Sequence, residues 1–354
     1  MSLVGVLSAS AGVANDRGDP RPHFLSVFPA GAGGGNPAPV VLDADTLPAE
    51  AMKAVAARYG HESAFVCMPE DPRNLCRLRF FVPEHEMEMC GHATLGAMWL
   101  LRETGRWSGA TARVETLSGV VELRYDEAAR RIDVSQPRGS VQPVEDAGLL
   151  EAIREVLRLD ADALGPHGIV NARTSRTETL VPIRSVERLH AITPRLDAVR
   201  AVCDALGSTG LYPFAIEAAR PLVLQARQFP RGSGYPEDAA TGIAAAASLY
   251  GALHHGLLPA GETAITIRQG VAMGRPSSIG VALREPGNPE AGCWISGAVE
   301  PTTLEPRARR PIPMPRWPAA SISLPRSRRS VGPTSRWRTA APACSRARGS
   351  AWPA

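Results

Sequence analysis

Twenty-six consecutive residues, Phe80–Gly105, constrain this 354-residue chain more than any other stretch. They read Phe-Phe-Val-Pro-Glu-His-Glu-Met-Glu-Met-Cys-Gly-His-Ala-Thr-Leu-Gly-Ala-Met-Trp-Leu-Leu-Arg-Glu-Thr-Gly. Arg79–Val82 is apolar enough for a strand, and Pro83 keeps it from running on as a central one. Ala93–Leu101 is almost wholly apolar, so a helix there must be surrounded by protein. Gly105 supplies its C-terminal stop. Cys90, Gly91 and His92 therefore fall at the N-terminus of a core helix, where free N–H groups and the helix dipole favour an anion.

The layout recurs. Arg227-Gln-Phe-Pro leads to Glu237-Asp-Ala-Ala-Thr-Gly-Ile, then to the apolar Ala244–Leu253 and a stop at Gly256. Gly242 lies 151 residues after Gly91, and each precedes its stop glycine by 14. Strand, acidic loop, glycine, apolar helix and glycine thus occur twice. This predicts a duplicated α+β fold: two pseudo-symmetric domains, each a mostly antiparallel sheet wrapped round one apolar helix.

The order of elements fits that plan. Residues 1–22 read as a loose extension, 23–140 as the first half, and 141–305 as the second, whose last strands are free to return to the first. In the first half, strands are predicted at His23–Phe28 and Val40–Leu42, flanking a glycine-rich turn over Ala30–Pro39. A helix follows at Thr46–Tyr59, capped by Asp45 or Thr46. Ser63–Met68 pairs with Leu75–Val82, and Arg113–Leu117, Val120–Tyr125 and Ile132–Ser135 form a meander. Ser135–Glu145, with Pro137, Gly139 and Pro143, reads as the linker between halves. Helices near Leu149–Leu159 and Leu196–Leu206 and strands up to Cys293–Val299 complete the second half. Residues 306–354 are Arg, Pro, Ser and Ala without period and read as a disordered tail.

That tail carries eleven of the 39 basic residues and no acid, so the remainder is mildly acidic and nucleic-acid binding is not expected of it. No 18-residue apolar run is present, which argues against a membrane span. The six cysteines form no C-x-x-C pair, as suits free thiols in a cytoplasmic protein. The glycine-rich turn lacks both the Lys-Ser/Thr of a P-loop and the spacing of a dinucleotide fold. His254 and His255 point to different faces of a helix and have no third ligand, so no metal is expected.

Four residues can carry chemistry. Glu62, at a strand entrance beside apolar helices, is a candidate acid/base whose pKa burial would raise; a solvated surface carboxylate is the plainer account. His92, in the first helical turn, should be a neutral ring, or simply a cap. Cys90, at the same helix end, should have a lowered pKa unless it is a buried inert thiol. Asp238, beside Glu237, either caps the second helix at Thr241 or holds a substrate group.

Taken in order, these short motifs resemble the PhzF-type phenazine-biosynthesis isomerases, which share the diaminopimelate-epimerase fold. The resemblance spans most of His23–Val299. It rests on Val27-Phe28 with Gly35-Asn36-Pro37, Gly60-His61-Glu62-Ser63-Ala64-Phe65, Phe81-x-Pro83 with Glu86, Cys90-Gly91-His92-Ala93-Thr94-Leu95, and Glu237-Asp238-x-x-Thr241-Gly242. It implies a cofactor-free proton shift on a small carboxylic acid, in the cleft between halves of a protein that could pair as a homodimer. By position, Glu62 would take and return the proton, His92 and Asp238 would assist, and Gly91 would offer its N–H. Asn36, Cys90, Thr241 and Gly242 would complete the substrate site. Two family positions differ: Ala239 stands for a proline, and Ile243 for a serine whose hydroxyl is worth about 1–3 kcal/mol as a donor. No cysteine in Gly234–Ala247 could partner Cys90 in a two-thiol racemase. An epimerase using Cys90, or a binding protein that has lost the chemistry, remain the alternatives.

Overall fold

The structure, a computed structural model, describes residues 21–160 and 162–306. The expected N-terminal extension over 1–20 and the tail from 307 onward lie outside the described residues.

The first half begins with β1 (His23–Val27), β2 (Asn36–Val41), α1 (Ala49–Tyr59), β3 (Ser63–Cys67), β4 (Cys76–Phe81) and β5 (Glu86–Met87). The buried helix α2 (Gly91–Glu103) and the meander β6 (Thr111–Thr116), β7 (Gly119–Asp126) and β8 (Arg131–Gln136) follow. The chain continues through β9 (Ser140–Pro143), α3 (Ala147–Leu157), β10 (Val170–Arg173), β11 (Thr177–Pro182), α4 (Val186–Ala191) and α5 (Leu196–Leu206). Then come β12 (Gly210–Ala219), β13 (Leu222–Ala226), β14 (Phe229–Pro230), α6 (Gly242–His254), β15 (Ala264–Gln269), β16 (Ser277–Glu285), β17 (Asn288–Ser296) and β18 (Val299–Pro301).

The strand pairings repeat as the two glycine-bounded helices do. β1 and β2 are antiparallel, β2 and β3 parallel across α1, and β3 and β4 antiparallel. β4 then runs parallel to β6, with α2 as the crossover. In the second half β10 and β11 are antiparallel, β11 and β12 parallel across α4 and α5, and β12 and β13 antiparallel. β13 runs parallel to β15 with α6 as the crossover. Each crossover helix is covered by strands, which is why both could be apolar on every side. The halves join through β8 with β17 and through β1 with β18.

The two helices match closely. Both have 13 residues, and each follows an N-cap residue in extended conformation, Cys90 or Thr241. Each ends at a near-identical C-cap, followed by a left-handed glycine: Gly105 at φ 71° and Gly256 at φ 66°. Their N-termini meet. A Cβ on Gly91 would lie 4.0 Å from the Gly242 Cα. The Ile295 Cδ1 methyl of β17 wedges against both, 3.2 Å from a Cβ at 91 and 2.9 Å from one at 242. Glycine at these two positions leaves the Ile295 methyl its place; a Cβ at either would press on it. Satellite cores cover the outside, α1 over β2–β4 and α3 and α5 over β11 and β12.

Three sequence readings are corrected. α1 begins at Ala49 with Pro48 at its N-cap, because the Asp45 carboxylate accepts from the Met68 N–H at 2.7 Å and is not free to cap. The glycine-rich turn ends at Gly35, and Asn36-Pro37-Ala38-Pro39 is strand. Its prolines are tolerated because β3 pairs only with Val40 and Val41, leaving the first part of β2 a single partner. The supposed linker contains β9, whose Pro143 lies opposite Val170 in the ladder. No described helix is long and apolar enough to cross a membrane.

Candidate active site

The facing N-termini of α2 and α6 floor a pocket enclosing about 580 Å³, its mouth included. Glu62, Cys90, Gly91, His92, Asp238, Thr241 and Gly242 all line it. Asn36 stands behind the wall, its side-chain N–H groups donating to Asp238 Oδ1 at 2.7 Å and to the Ala240 carbonyl at 3.0 Å. Residues more than 140 apart in sequence are thus gathered by the duplicated crossovers.

On the α2 side, Glu62 sits between the end of α1 and the start of β3. Its Oε2 accepts from the Cys90 thiol at 3.4 Å and lies 3.4 Å from His92 Nδ1. Cys90 Sγ and His92 Nδ1 are also 3.4 Å apart. The Tyr235 hydroxyl donates to the other oxygen, Oε1, at 3.2 Å. Glu62 is only 10% exposed, and burial raises its pKa, opposed by the Cys90 and Tyr235 hydrogen bonds and by the Arg176 charge. Burial lowers that of His92, so the ring is neutral, as expected at a helix N-terminus. Its Nε2 is buried with no hydrogen-bond partner among the described residues.

Of the two readings left open for Cys90, a thiol activated by the helix end or a buried inert one, the second fits: burial and then the neighbouring Glu62 charge push the thiol well above its usual value. Burial, reinforced by a nearby carboxylate, outweighs the partial charge of a helix end.

On the α6 side, Asp238 does not cap the helix. Its Oδ2 accepts from the Thr241 hydroxyl at 2.6 Å, and its own carbonyl accepts from Gln269 Nε2 at 2.8 Å. Gln269 also receives the Thr241 N–H at 3.2 Å and the Tyr212 hydroxyl at 2.9 Å. Burial, then the Glu62 charge, raises Asp238 to about 6. Its neighbour Glu237 is turned away and pairs with Arg227 through two 2.8 Å contacts.

Sequence reasoning missed several pocket groups, including Tyr235, Arg176 and Glu178. Glu178 is an acid inside the otherwise uncharged strand Thr177–Pro182, and Tyr235 is a lone aromatic in a Gly/Ser loop. Those were the available signals. Among the described residues, Glu62, Cys90 and His92 also present ligand-type atoms within 4.8 Å of one another, a spacing that a small cation could use.

A buried carboxylate and a neutral imidazole lie beside two opposed helix N-termini, an arrangement chemically able to accept an anion and to move a proton. The chain belongs to the PhzC-PhzF family of phenazine biosynthesis-like proteins, whose family model matches residues 25–299. It is 29% identical over 287 residues to the uncharacterized isomerase YddE of Escherichia coli O157:H7, covering 79% of this chain and 95% of that protein. It is 30% identical over 269 residues to trans-2,3-dihydro-3-hydroxyanthranilate isomerase of Pseudomonas aeruginosa, covering 74% and 90%. The fold is similar to that of the Bacillus anthracis phenazine biosynthesis protein of the PhzF family, with a TM-score of 0.70 at 23% identity over 80% of this chain and 97% of that one.

Proposed function

We propose that the protein is a cofactor-independent isomerase that shifts a proton on a small carboxylic acid, with Glu62 as the group that takes and returns it. The observation that carries this reading is the meeting of Glu62, Cys90 and His92 at the start of α2, directly opposite the start of α6. The substrate carboxylate is drawn to the free N–H groups at the helix ends. A C–H acidified by adjacent unsaturation is presented to Glu62, whose raised pKa narrows the gap to that carbon acid. Tyr235 holds Oε1, leaving Oε2 on the Cys90 and His92 side. The protonated Glu62 returns the proton at a second carbon, and neutral His92 hydrogen-bonds the charge that develops. Asp238, fixed by Asn36 and Thr241, orients a donor group of the substrate.

The raised pKa of Cys90 weighs against the epimerase reading, since a thiol must ionise before it can take a proton. Ile243 lines the pocket with an apolar side chain where many relatives were expected to present a serine. That favours a substrate with one fewer hydrogen-bonding group at this wall.

The test is deuterium incorporation from D₂O across a panel of cyclic and acyclic carboxylic acids. Glu62→Gln should reduce exchange about 10²–10⁴-fold, whereas Cys90→Ala should keep it within tenfold of wild type. The opposite ranking would transfer the chemistry to Cys90. Tight binding without exchange in the wild type would favour a binding protein.

A further inference from the structure

Glu62, Cys90 and His92 meet in a way that the proton shift does not require. Cys90 Sγ lies 3.4 Å from Glu62 Oε2 and 3.4 Å from His92 Nδ1, and Nδ1 lies 3.4 Å from Oε2. The centre of such a triangle is about 2.0 Å from each corner. Tetrahedral zinc takes Cys sulfur at about 2.3 Å, His nitrogen at about 2.0–2.1 Å and carboxylate oxygen at about 2.0–2.2 Å, which puts its ligand atoms roughly 3.3–3.7 Å apart. An ion standing slightly off the plane of the three atoms would therefore reach all of them at ordinary bond lengths.

The donor set selects the ion. A thiolate and an imidazole suit Zn²⁺ and its neighbours, whereas Mg²⁺ and Ca²⁺ ask for oxygen. One carboxylate with one thiolate balances a divalent charge, and Asp238 adds a further acid to the same pocket. All three ligands line that pocket, so the fourth coordination position falls to water or to an anion within it. The surroundings hold the ligands unequally. The Tyr235 hydroxyl donates to Glu62 Oε1 at 3.2 Å and leaves Oε2 to the thiol and the ring. His92 Nε2 makes no full hydrogen bond, only a weak interaction with the Pro37 backbone. Metal-bound imidazoles almost always make that second bond, and its loss costs about 10–100-fold in affinity. The site thus suits an ion that comes and goes better than a permanent one.

We propose that Glu62 Oε2, Cys90 Sγ and His92 Nδ1 form a reversible site for Zn²⁺ or a similar borderline-soft divalent cation, and that the ion silences the pocket by occupying the oxygen that takes the proton. Nothing is oxidised or reduced. The Cys90 S–H bond breaks, its electron pair forms the S–Zn bond, and the proton passes to solvent. The cation supplies the charge that makes this possible, since a coordinating thiol is deprotonated outright. The silencing rests on the isomerase reading; the binding does not, and it is read without turnover.

Co²⁺ is the probe, because a bound thiolate gives it a near-ultraviolet charge-transfer band and four-coordination gives it intense visible bands. At about pH 8, where free imidazole is neutral, the full chain should show both features, and Zn²⁺ should erase them by displacement. Cys90→Ser should abolish the charge-transfer band. Glu62→Gln keeps the side-chain shape and should weaken Co²⁺ by at least about 100-fold, more than an outer partner costs; Tyr235→Phe should weaken it about tenfold and keep the band. Deuterium exchange should fall over the same range of Zn²⁺ that displaces Co²⁺ and return with a chelator. A charge-transfer band that survives in Cys90→Ser would place the thiolate elsewhere, and no band in wild type would leave the triangle a hydrogen-bonded cluster; either overturns the proposal. So would a loss below threefold in Glu62→Gln. Exchange undiminished with the site filled would overturn the silencing. Band and losses as expected, in a protein that exchanges nothing even without metal, would uphold the cation site and sink the isomerase reading and the silencing with it.

Discussion

The seam where the two helices meet makes Gly242→Ala the most informative single change. The new Cβ would sit 2.9 Å from Ile295 Cδ1 and 3.9 Å from two ring carbons of Phe28. Carbon contacts are favourable at about 3.5–4.0 Å, so the Ile295 methyl must retreat by roughly 0.6–1 Å. The methyl is fully buried, so although it is the far end of a flexible side chain its retreat must displace packed neighbours. Overpacking of this kind costs about 1–3 kcal/mol. The loss of glycine's unfolded-state freedom returns about 0.4–1 kcal/mol, so the net effect of the single change is modest. The coupling is sharper. Ile295→Val removes the offending methyl and by itself costs about 0.5–1.5 kcal/mol. Combined, the two substitutions move one methyl across the seam at constant volume. The double variant should be more stable than the summed single effects by at least about 1 kcal/mol in urea unfolding followed by tryptophan fluorescence. Deuterium exchange should follow: a displacement approaching 1 Å at the start of α6 lowers it by up to about 10²-fold, and Ile295→Val restores it. Additivity within about 0.5 kcal/mol, or exchange that the second change does not rescue, would refute the claim that this contact sets the spacing of the helix ends.

Three further outcomes follow from the carboxylates. Glu178 is raised from 4.5 to about 7, so its contribution favours the folded state at low pH and is lost as pH rises through that window. Glu178→Gln should therefore unfold later than wild type at pH 8, by up to about 3 kcal/mol, and differ little at pH 4. Asn36→Ala removes the 2.7 Å donor that steadies ionised Asp238. The acid limb of the exchange rate, near pH 6 in wild type because Asp238 titrates at about 6, should move upward; an unchanged limb would remove Asp238 from the reaction. Glu237→Gln leaves Arg227 buried without its ion pair, and should cost about 3–5 kcal/mol in stability with little change in exchange per folded molecule. A large loss of exchange at full stability would reverse the roles of Glu237 and Asp238.

The chain's own pattern determined a good deal. Two apolar segments with no polar face can exist in water only inside a sheet, and equal spacing from glycine to glycine marks them as copies. That reasoning reached α2, α6 and the meander after α2, together with Glu62, His92 and Asp238, because each adjoins a glycine or strand boundary that sequence displays. It did not reach the strand character of Asn36–Pro39 or Ser140–Pro143, since proline is a turn signal until the neighbouring strand is known to leave its edge unpaired. For Cys90 the sequence left an activated and a buried inert thiol open for a related reason. A helix end can be read from sequence, but the depth of burial and the Glu62 carboxylate 3.4 Å away, from 28 residues upstream, cannot. The same holds for Glu178 and Arg176. Local pattern decides which face of an element is buried; which unlike groups share one pocket depends on how the two copies dock. In this protein the copies join through β8 with β17 and β1 with β18, and their two helix ends meet across a glycine pair and one isoleucine methyl.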